Sequence, residues 1–331
     1  MQTEGGETDN QGYQSYVDAE STDDYVRLQT TKNTIKFKAD IENLAMSERT
    51  INRFIMNGEK NRFLNVPTYD EILDMEDMDF YYNASTLKTP YGNYILSQAP
   101  TASTLADFYH LIWLYNVRTI VCLVDPSKLA TYFNPEIGHS TSVFMKYEMQ
   151  TLKVSDVKNE IKVYQLRFTN KSNSVPKHVS RRIIYVVYAP TELNGVRDMT
   201  KTFTAMEEMW ALDQAYEVSG IQPGGTLVHG LSGTRRTSYF VASALLCKQV
   251  LETGRFSAMD VWVEIRKRRS GAASRKQDFF SSIHAVIEYS KQIGVISAGD
   301  PQYSESVKAL IAAIEKDTIY YKQLELAYND N

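Results

Sequence analysis

The stretch Leu227–Ser238, LVHGLSGTRRTS, holds the strongest local signal in the chain. It opens with an apolar run typical of a buried strand, which ends where glycines begin. A helix is predicted to start near Arg236, because apolar residues recur at helical spacing beyond it. A strand, a loop containing Gly233 and a helix N-terminus direct backbone N–H groups and the helix dipole at one point. The stretch therefore predicts a site for a dianion.

Two side chains of this stretch suit a phosphate group. The planar guanidinium of Arg236 can bind two phosphate oxygens at once, which makes it more directional than a lysine ammonium. Thr237, the next residue, offers a hydroxyl. The sequence thus favours a phosphate-holding loop, and it leaves open whether the loop belongs to an enzyme.

Composition places the chain among globular proteins. Its 331 residues, 43% of them hydrophobic, are enough for one large domain or two small ones. No apolar run approaches the roughly 20 residues that span a bilayer, and the acidic start lacks the features of a signal peptide. We therefore expect no integral membrane segment and a cytoplasmic location.

Charge and cysteine content exclude other classes. A net charge of -4 argues against a general nucleic-acid binder. Cys122 and Cys247 lie in apolar segments, without the spacing of a metal site or of a disulfide framework. We expect two buried thiols and neither a cofactor nor a metal.

The first 32 residues differ from the rest of the chain. They are acidic and poor in aliphatic residues, which predicts a disordered tail because ordering it would bury too little apolar surface. Tyr13, Tyr16 and Tyr25 stand among acidic residues there. They are either phosphorylation sites or solvated tail tyrosines.

The remaining chain is predicted to form one domain, residues 33–296, and a helical extension, residues 297–331. One or two helices are expected between Ile35 and Met56. The last helix, about Ser304–Leu326, either packs back on the domain or engages a partner in a groove.

Strand-like and helix-like segments alternate along the domain. Predicted strands are TIVCLV (119–124), IKVYQLRF (161–168), RIIYVVY (182–188) and GTLVHG (225–230), and predicted helices include 237–252, 257–268 and 276–293. The alternation indicates an α/β (α+β) fold with a central twisted mixed sheet flanked by helices.

On these residues the chain resembles the classical protein tyrosine phosphatase family, whose signature is His-Cys-x-x-Gly-x-x-Arg-[Ser/Thr]. His229, Gly233, Arg236 and Thr237 match it, and Gly230 stands at the cysteine position. Further ordered matches between about residues 60 and 294 are EKNRF, YYNAS, NYILSQAP and ADFYHLIWLYNVRTIVCLV. The resemblance implies that His229 and Thr237 support a phosphate-binding loop made of Gly230, Leu231, Ser232, Gly233, Thr234, Arg235 and Arg236.

The chain departs from the family at its nucleophile. Active members attack phosphorus with a low-pKa cysteine thiolate, whereas Gly230 has no side chain. Ser232 is the nearest hydroxyl, but it lies two residues along the loop, which supplies no base to activate it. The resemblance therefore implies that the covalent route is closed.

Two further departures concern the acid and the hydrolytic water. The family's mobile loop carries Trp-Pro-Asp, and here APTELNGV keeps Pro190 but has Thr191 at the position of the acid. Glu192, or a shifted register, still offers a carboxylate. The stretch SGAASRKQDFF places Ser274 and Asp278 where the family has two glutamines that position water. The resemblance thus implies that both chemical steps are disabled.

Binding features are retained only in part. Phe63 replaces the tyrosine of the family's phosphotyrosine loop and keeps a flat wall for ring stacking, whereas Asn65 replaces an aspartate that clamps the ligand. The segment after CLVD is shorter than in the family and lacks a glutamate that orients the arginine. We therefore expect Arg236 to be held less firmly.

Three functions remain open on this evidence. The leading one is a pseudophosphatase that binds a tyrosine-phosphorylated protein or a protein kinase, shielding or scaffolding it. The second is an interaction module whose Arg236 is only a structural link, and the third is a weakly active phosphatase that uses Glu192.

The basic run RKRR at 266–269 is either a solvated helix end or a positive rim of the pocket. The oligomeric state is not predicted.

Overall fold

The computed structural model describes residues 49–70, 80–125, 131–297 and 299–329, with the backbone alone from 324 onward. The predicted tail with its tyrosines lies outside the described residues, as does most of the region predicted to form entry helices. The described part of that region contains helix α1, Asn52–Met56, and a 3-10 turn, Gly58–Lys60. In the described ranges, no helix combines the length and the apolar character needed to cross a membrane.

An eight-stranded mixed sheet forms the centre of the described chain, in the order β1-β2-β8-β3-β7-β6-β5-β4. Its strands are β1 Ala84–Thr89, β2 Gly92–Gln98, β3 Thr119–Cys122, β4 Ser140–Val143, β5 Tyr147–Asp156, β6 Lys162–Asn170, β7 Arg181–Tyr188 and β8 Thr226–Gly230. The pairs β2–β8, β8–β3 and β3–β7 are parallel, and the other pairs are antiparallel. The four strands predicted from sequence are confirmed as β3, β6, β7 and β8.

Helices cover both faces of this sheet. They are α2 Leu105–Leu114, α3 Met199–Val218, α4 Arg235–Thr253, α5 Ala258–Arg268, α6 Lys276–Gln292 and α7 Pro301–Asn329. Successive side chains of a strand point to opposite faces, so Leu227 of β8 packs in the core beside α2, while Val228 packs in the core beside α4. Strand β8 is therefore buried on both faces, and its end is fixed in the middle of the molecule.

The last helix packs back on the domain. Tyr303, Leu310 and Ile314 of α7 are buried in the same core as α6. Asp317 of α7 accepts a hydrogen bond from the backbone N–H of Gln277, near the start of α6, at 3.0 Å. Of the two alternatives that the sequence left open, the described side chains show the intramolecular one.

Candidate phosphate-binding site

The residues Gly230–Arg236, here called the glycine loop, connect the end of β8 to the start of α4. Gly233 is the point of closest packing: its φ is +71°, and a Cβ there would lie 2.4 Å from the carbonyl of Ser97. Only glycine tolerates that contact and that backbone conformation together. The glycine loop is therefore held tightly against the end of β2.

Arg269 fixes the direction of the loop peptides. Its side chain is fully buried, and it donates to the carbonyl oxygens of Gly233 at 3.0 Å and Ser232 at 2.6 Å. The carbonyl of Leu231 accepts from the N–H of Ala99 at 3.1 Å. Because C=O and N–H point in opposite directions in a planar trans peptide, the N–H groups of Gly233 and Thr234 face away from Arg269, and the N–H of Ser232 faces away from Ala99. The loop thus turns a row of donors to one side, as an anion cradle requires.

This role of Arg269 corrects the interpretation of one residue of the run RKRR, whereas the other three do form a helix end. Residues Arg266, Lys267 and Arg268 form the last turn of α5. Arg269 follows them, yet it belongs neither to a solvated helix end nor to a pocket rim, because it is buried beneath the loop. Burial lowers its pKa to about 10. The run therefore supplies a structural cation to the site.

Arg236 lies at the N-terminus of α4 beside the cradle. One guanidinium nitrogen donates to the carbonyl oxygens of Thr191 at 3.2 Å and of Leu123 at 3.4 Å. Among the described residues no carboxylate forms an ion pair with it. Burial, followed by repulsion from Arg197 and Arg235, lowers its pKa. A partly buried cation among other cations favours a bound anion.

His229 supports the loop from within the core. The buried imidazole lies 3.0 Å, through Nε2, from the hydroxyl of Tyr132. Burial lowers its pKa to about 3, with smaller contributions from Arg62 and Arg236. The ring is therefore neutral at physiological pH, and its surroundings make it a packing and hydrogen-bonding group.

Gly230 leaves a space that a side chain would enter. A Cβ on this residue would meet the hydroxyl oxygen of Thr237 at 3.1 Å and Cβ of Arg236 at 3.7 Å. The Thr237 hydroxyl is itself buried and has no hydrogen-bond partner among the described residues. An unpaired hydroxyl thus faces the place where Gly230 lacks a side chain.

Cys122 does not replace the missing side chain as a nucleophile. It pairs in register with His229 on the neighbouring strand, so it lies close to the loop. Burial raises the pKa of its thiol to about 12. A thiol that stays protonated at neutral pH is a poor nucleophile.

The segment that carries Phe63 is attached to the same strand end. Gln98 is the register partner of Gly230, and its side chain accepts from the N–H of Arg62 and donates to the carbonyl of Lys60. Phe63 is 39% exposed, as a wall for a ligand ring must be. The structure therefore brings the predicted ring contact to the edge that holds the glycine loop. Asn65 is exposed as well.

Residues 189–196, in the connection between β7 and α3, are here called the Pro190 loop. Its Leu193 carbonyl accepts from the side chains of Arg197 at 3.0 Å, Arg235 at 3.1 Å and Gln277 at 3.2 Å. The Asn194 side chain accepts from Arg235 at 3.0 Å and from Arg275 at 3.3 Å. Such converging donors hold the loop in one position against the glycine loop.

Asp278 provides the carboxylate of this network. It is 1% exposed and accepts from Arg197 at 2.8 Å and from Arg235 at 3.1 Å. Both carboxylate oxygens are therefore committed to arginines. Ser274 lies nearby, with its carbonyl 3.4 Å from the hydroxyl of Tyr321 on α7.

The remaining candidate residues differ in their contacts and exposure. Thr191 contributes its carbonyl to Arg236, and Glu192 is exposed. The hydroxyls of Ser232 and Thr234 bind each other at 2.7 Å. In the part of the chain that the structure describes, no group of three His, Cys, Asp or Glu side chains is arranged to hold a metal ion.

The fold and this strand-loop-helix element define a phosphatase-like α/β domain, and comparison with known proteins gives its family. Residues 57–288 match the family model for protein-tyrosine phosphatase, which is well over half of the chain. The chain belongs to the protein-tyrosine phosphatase family.

Curated relatives agree with this assignment. Tyrosine-protein phosphatase non-receptor type 18 of Mus musculus is 26% identical over 261 residues, which cover 70% of this chain and 52% of that protein. The Homo sapiens protein of the same name is 23% identical over 285 residues, covering 80% and 58%. Non-receptor type 5 of Mus musculus is 23% identical over 240 residues, covering 68% and 41%. The chain spans about half the length of the curated relatives it matches.

Solved structures show the same fold. A structure described as the basis of the PTPN18 fingerprint on distinct HER2 tyrosine phosphorylation sites has a TM-score of 0.68 and 20% identity, covering 81% of this chain and 98% of that chain. A structure of PTPN18 in complex with HER2 phosphopeptides has a TM-score of 0.64 and 21% identity, covering 77% and 97%. At these identities the similarity establishes the fold alone.

Proposed function

We propose that this chain is a pseudophosphatase, a non-catalytic member of its family that binds a phosphotyrosine side chain of another protein in the glycine loop. One observation carries the proposal: Arg269 holds the carbonyls of Ser232 and Gly233 on one side, so that the N–H groups of the next residues face the other side and form, with Arg236, a cradle next to Gly230. Phe63 is the proposed contact for the phosphotyrosine ring. His229 and Thr237 are the proposed supports of the loop.

Loss of catalysis follows from the groups that the site lacks. Gly230, at the proposed cysteine position, provides no nucleophile, so no phosphoenzyme forms. Thr191 has no acidic proton for a leaving group, and both carboxylate oxygens of Asp278 accept hydrogen bonds from arginines. Together these positions, with Ser274, are the proposed degenerate catalytic positions.

Glycine in place of a cysteine at position 230 also favours the binding of phosphate. A thiolate about 4 Å from a bound phosphate would repel it by roughly 4 kcal/mol at an effective dielectric constant of 20. A glycine removes that repulsion, and solvent reduces the size of the gain. Without a reaction to consume it, the bound phosphotyrosine would stay in the site, shielded from active phosphatases.

The partner is proposed to be a tyrosine-phosphorylated protein or a protein kinase. Phosphopeptides of HER2 occupy the related PTPN18 structure, which supports this class of ligand. The non-receptor relatives are in keeping with a cytoplasmic location. The proposed binding domain spans residues 33–296, with residues 297–331 as its helical extension.

Calorimetric titration with tyrosine-phosphorylated peptides and with orthovanadate tests the proposal. We expect the wild type to bind both, and Arg236→Ala to lose roughly 1.5–3 kcal/mol of binding free energy, the range for a hydrogen bond to a charged group. Arg255→Ala, a change of the same type at an exposed arginine, should leave binding unchanged. Arg236→Lys keeps the positive charge but loses the planar guanidinium that can bind two phosphate oxygens, so this variant should bind the phosphopeptide with intermediate affinity.

One observation favours a second function, an interaction module with a vestigial pocket. Arg236 already donates to the carbonyls of Leu123 and Thr191, as a purely structural link would. In that case no phosphopeptide binds, and Arg236→Ala lowers the stability of the fold without changing partner binding. Phosphate release that is lost in Glu192→Gln would instead reveal a weakly active enzyme.

A further inference from the structure

The hairpin between β4 and β5 ends in two exposed apolar residues, here called the hairpin tip. Phe144 and Met145 are 83% and 89% exposed. The N–H of Lys146 donates to the carbonyl of Val143 at 3.0 Å and closes the turn. Solvent therefore surrounds a phenyl ring and a thioether at the end of an edge hairpin.

The backbone of the tip is unfavourable for these residue types. Phe144 has φ +47° and Met145 has φ +55°. Turns with positive φ at both central positions favour Asn-Gly, because bulky side chains are strained in the left-handed region. Neither the exposure nor the strain stabilises the chain, and strained positions of this kind are frequent at binding sites.

Basic residues surround the tip. The N–H of Lys171 donates to the carbonyl of Lys146 at 2.7 Å, which places the loop 171–180, between β6 and β7, beside the hairpin. Segments 143–147 and 171–181 contain no Asp or Glu, and their cations are Lys146, Lys171, Lys177 and Arg181. Glu148, at the start of β5, forms an ion pair with Lys171 at 2.6 Å. Val179 adds a third exposed apolar side chain.

We propose that the hairpin tip docks on an anionic lipid surface, with Phe144 and Met145 inserted at the level of the headgroups and the lysines bound to lipid anions. Peripheral segments bind membranes through buried apolar area added to attraction for anionic lipids, and the tip offers both. The positive surface is local, because the whole chain carries a net charge of -4. A convex tip with cations spread over two loops fits a diffuse anionic surface.

Sheet topology fixes which way the protein would face. Strands β8 and β7 both run parallel to β3, so Gly230 at the end of β8 and Arg181 at the start of β7 lie at opposite ends of the sheet. Asn170 pairs with Tyr147, which puts the hairpin tip at the Arg181 end. A strand of eight residues spans about 26 Å. Lipid bound at the tip therefore leaves the glycine loop facing away from the membrane.

Co-sedimentation of the full chain with lipid vesicles tests this proposal. One vesicle preparation contains phosphatidylserine and phosphatidylcholine, and the other contains phosphatidylcholine alone. The double variant Phe144→Asn/Met145→Gly has the sequence that the turn prefers, so it should melt at the same or a higher temperature than the wild type. We expect phosphatidylserine-dependent binding by the wild type and binding weaker by about tenfold or more in this variant.

Two further variants separate the apolar and electrostatic contributions. Lys146→Glu/Lys177→Glu should abolish the preference for phosphatidylserine, and salt should weaken wild-type binding. Met56→Asn changes a methionine in α1 that is 80% exposed, similar to Met145, and should have no effect.

The proposal is overturned if the wild type binds neither preparation, or if the Asn-Gly variant binds phosphatidylserine vesicles as well as the wild type does. If the chain binds no vesicles but binds an acidic protein, and if that binding requires the hairpin tip, the tip is a docking site for a protein partner instead. None of these outcomes depends on whether the glycine loop binds phosphotyrosine.

Discussion

Arg235, the first residue of α4, donates from Nε to Oδ2 of Asp278 on α6 at 3.1 Å. The other oxygen of that carboxylate accepts from Arg197. Because Arg235 also reaches Leu193 and Asn194, one carboxylate links the glycine loop to the Pro190 loop. The position of the Pro190 loop is therefore set by a buried ion network that spans three segments of the chain.

Removing that carboxylate should weaken the whole network. In Asp278→Asn the fully buried Arg197 side chain loses its counter-ion, which costs about 3–5 kcal/mol when a buried pair is broken. We expect guanidinium unfolding to show this loss, and hydrogen exchange of residues 190–196 to become faster. Asp156→Asn, in an exposed ion pair, serves as the control and should be close to neutral. A loss below about 1 kcal/mol in Asp278→Asn would contradict the role assigned to the network.

The two glycines of the loop should respond differently to a methyl group. In Gly233→Ala the Cβ meets the Ser97 carbonyl at 2.4 Å with φ at +71°, so we expect a loss of several kcal/mol, whereas alanine at a compatible glycine site stabilises a protein by roughly 0.4–1 kcal/mol. In Gly230→Ala the backbone is not left-handed and the nearest atom is the Thr237 hydroxyl at 3.1 Å, so the entropic gain and the tight contact should nearly cancel and the change should stay within about 1 kcal/mol. Thermal unfolding of the pair measures the contrast. Equal losses would mean that the loop does not pack as described.

A cysteine at position 230 should be activated by its surroundings. In Gly230→Cys the thiol would face the unpaired Thr237 hydroxyl, the N-terminus of α4 and Arg236, all of which favour a thiolate. We expect its pKa to fall below the usual value of about 8.5. The rate of alkylation by iodoacetamide across pH, resolved by mass spectrometry, gives that pKa. Buried Cys122 and Cys247 act as slow internal references, and a pKa of about 9 or higher at position 230 would refute the expectation.

Asp213 should make stability depend on pH in an unusual direction. Burial raises its pKa to about 6 in the folded protein, against about 3.9 in an unfolded chain. Between these values the folded state holds a proton that the unfolded state lacks, so the contribution of Asp213 to stability rises as pH falls. In Asp213→Asn the side chain does not titrate, so the stability of this variant lacks that pH-dependent contribution.

The comparison of these two proteins isolates the effect. From pH 7 to pH 4 the wild type should gain about 2 kcal/mol in free energy of unfolding relative to Asp213→Asn. His229 has a lowered pKa and changes stability in the opposite direction, but it is present in both proteins, so it cancels in the difference. A difference that stays constant over this range would show that Asp213 is charged in the folded state.

Local sequence was enough to predict the strand-loop-helix element. Its signals lie within a few residues of one another: the apolar run before Gly230, the glycines and the helical spacing after Arg236. The structure confirms the predicted strand as β8 and the predicted helix as α4. The predicted start of the helix differs slightly, because α4 begins at Arg235. Ordered motifs along the chain gave the family, which the match to residues 57–288 confirms.

Contacts between distant segments were beyond the reach of sequence patterns. Arg269 binds the carbonyl of Gly233 from 36 residues away, and Tyr132 lies against His229 from 97 residues away. A run of four basic residues carries no signal that one of them is buried. Similarly, Asp278 stood out only as a departure from the family, whereas its two arginine partners show it to be a buried counter-ion.

Helix α7 reaches this network from the far end of the described chain. Asp317 caps the N–H of Gln277, and Gln277 precedes the carboxylate that holds Arg235. One peptide unit therefore separates the last helix from the ions that anchor the glycine loop. If a molecule that binds α7 changes the affinity of the glycine loop for the proposed phosphate ligand, then by thermodynamic reciprocity that ligand changes the affinity of α7 for the molecule by the same factor.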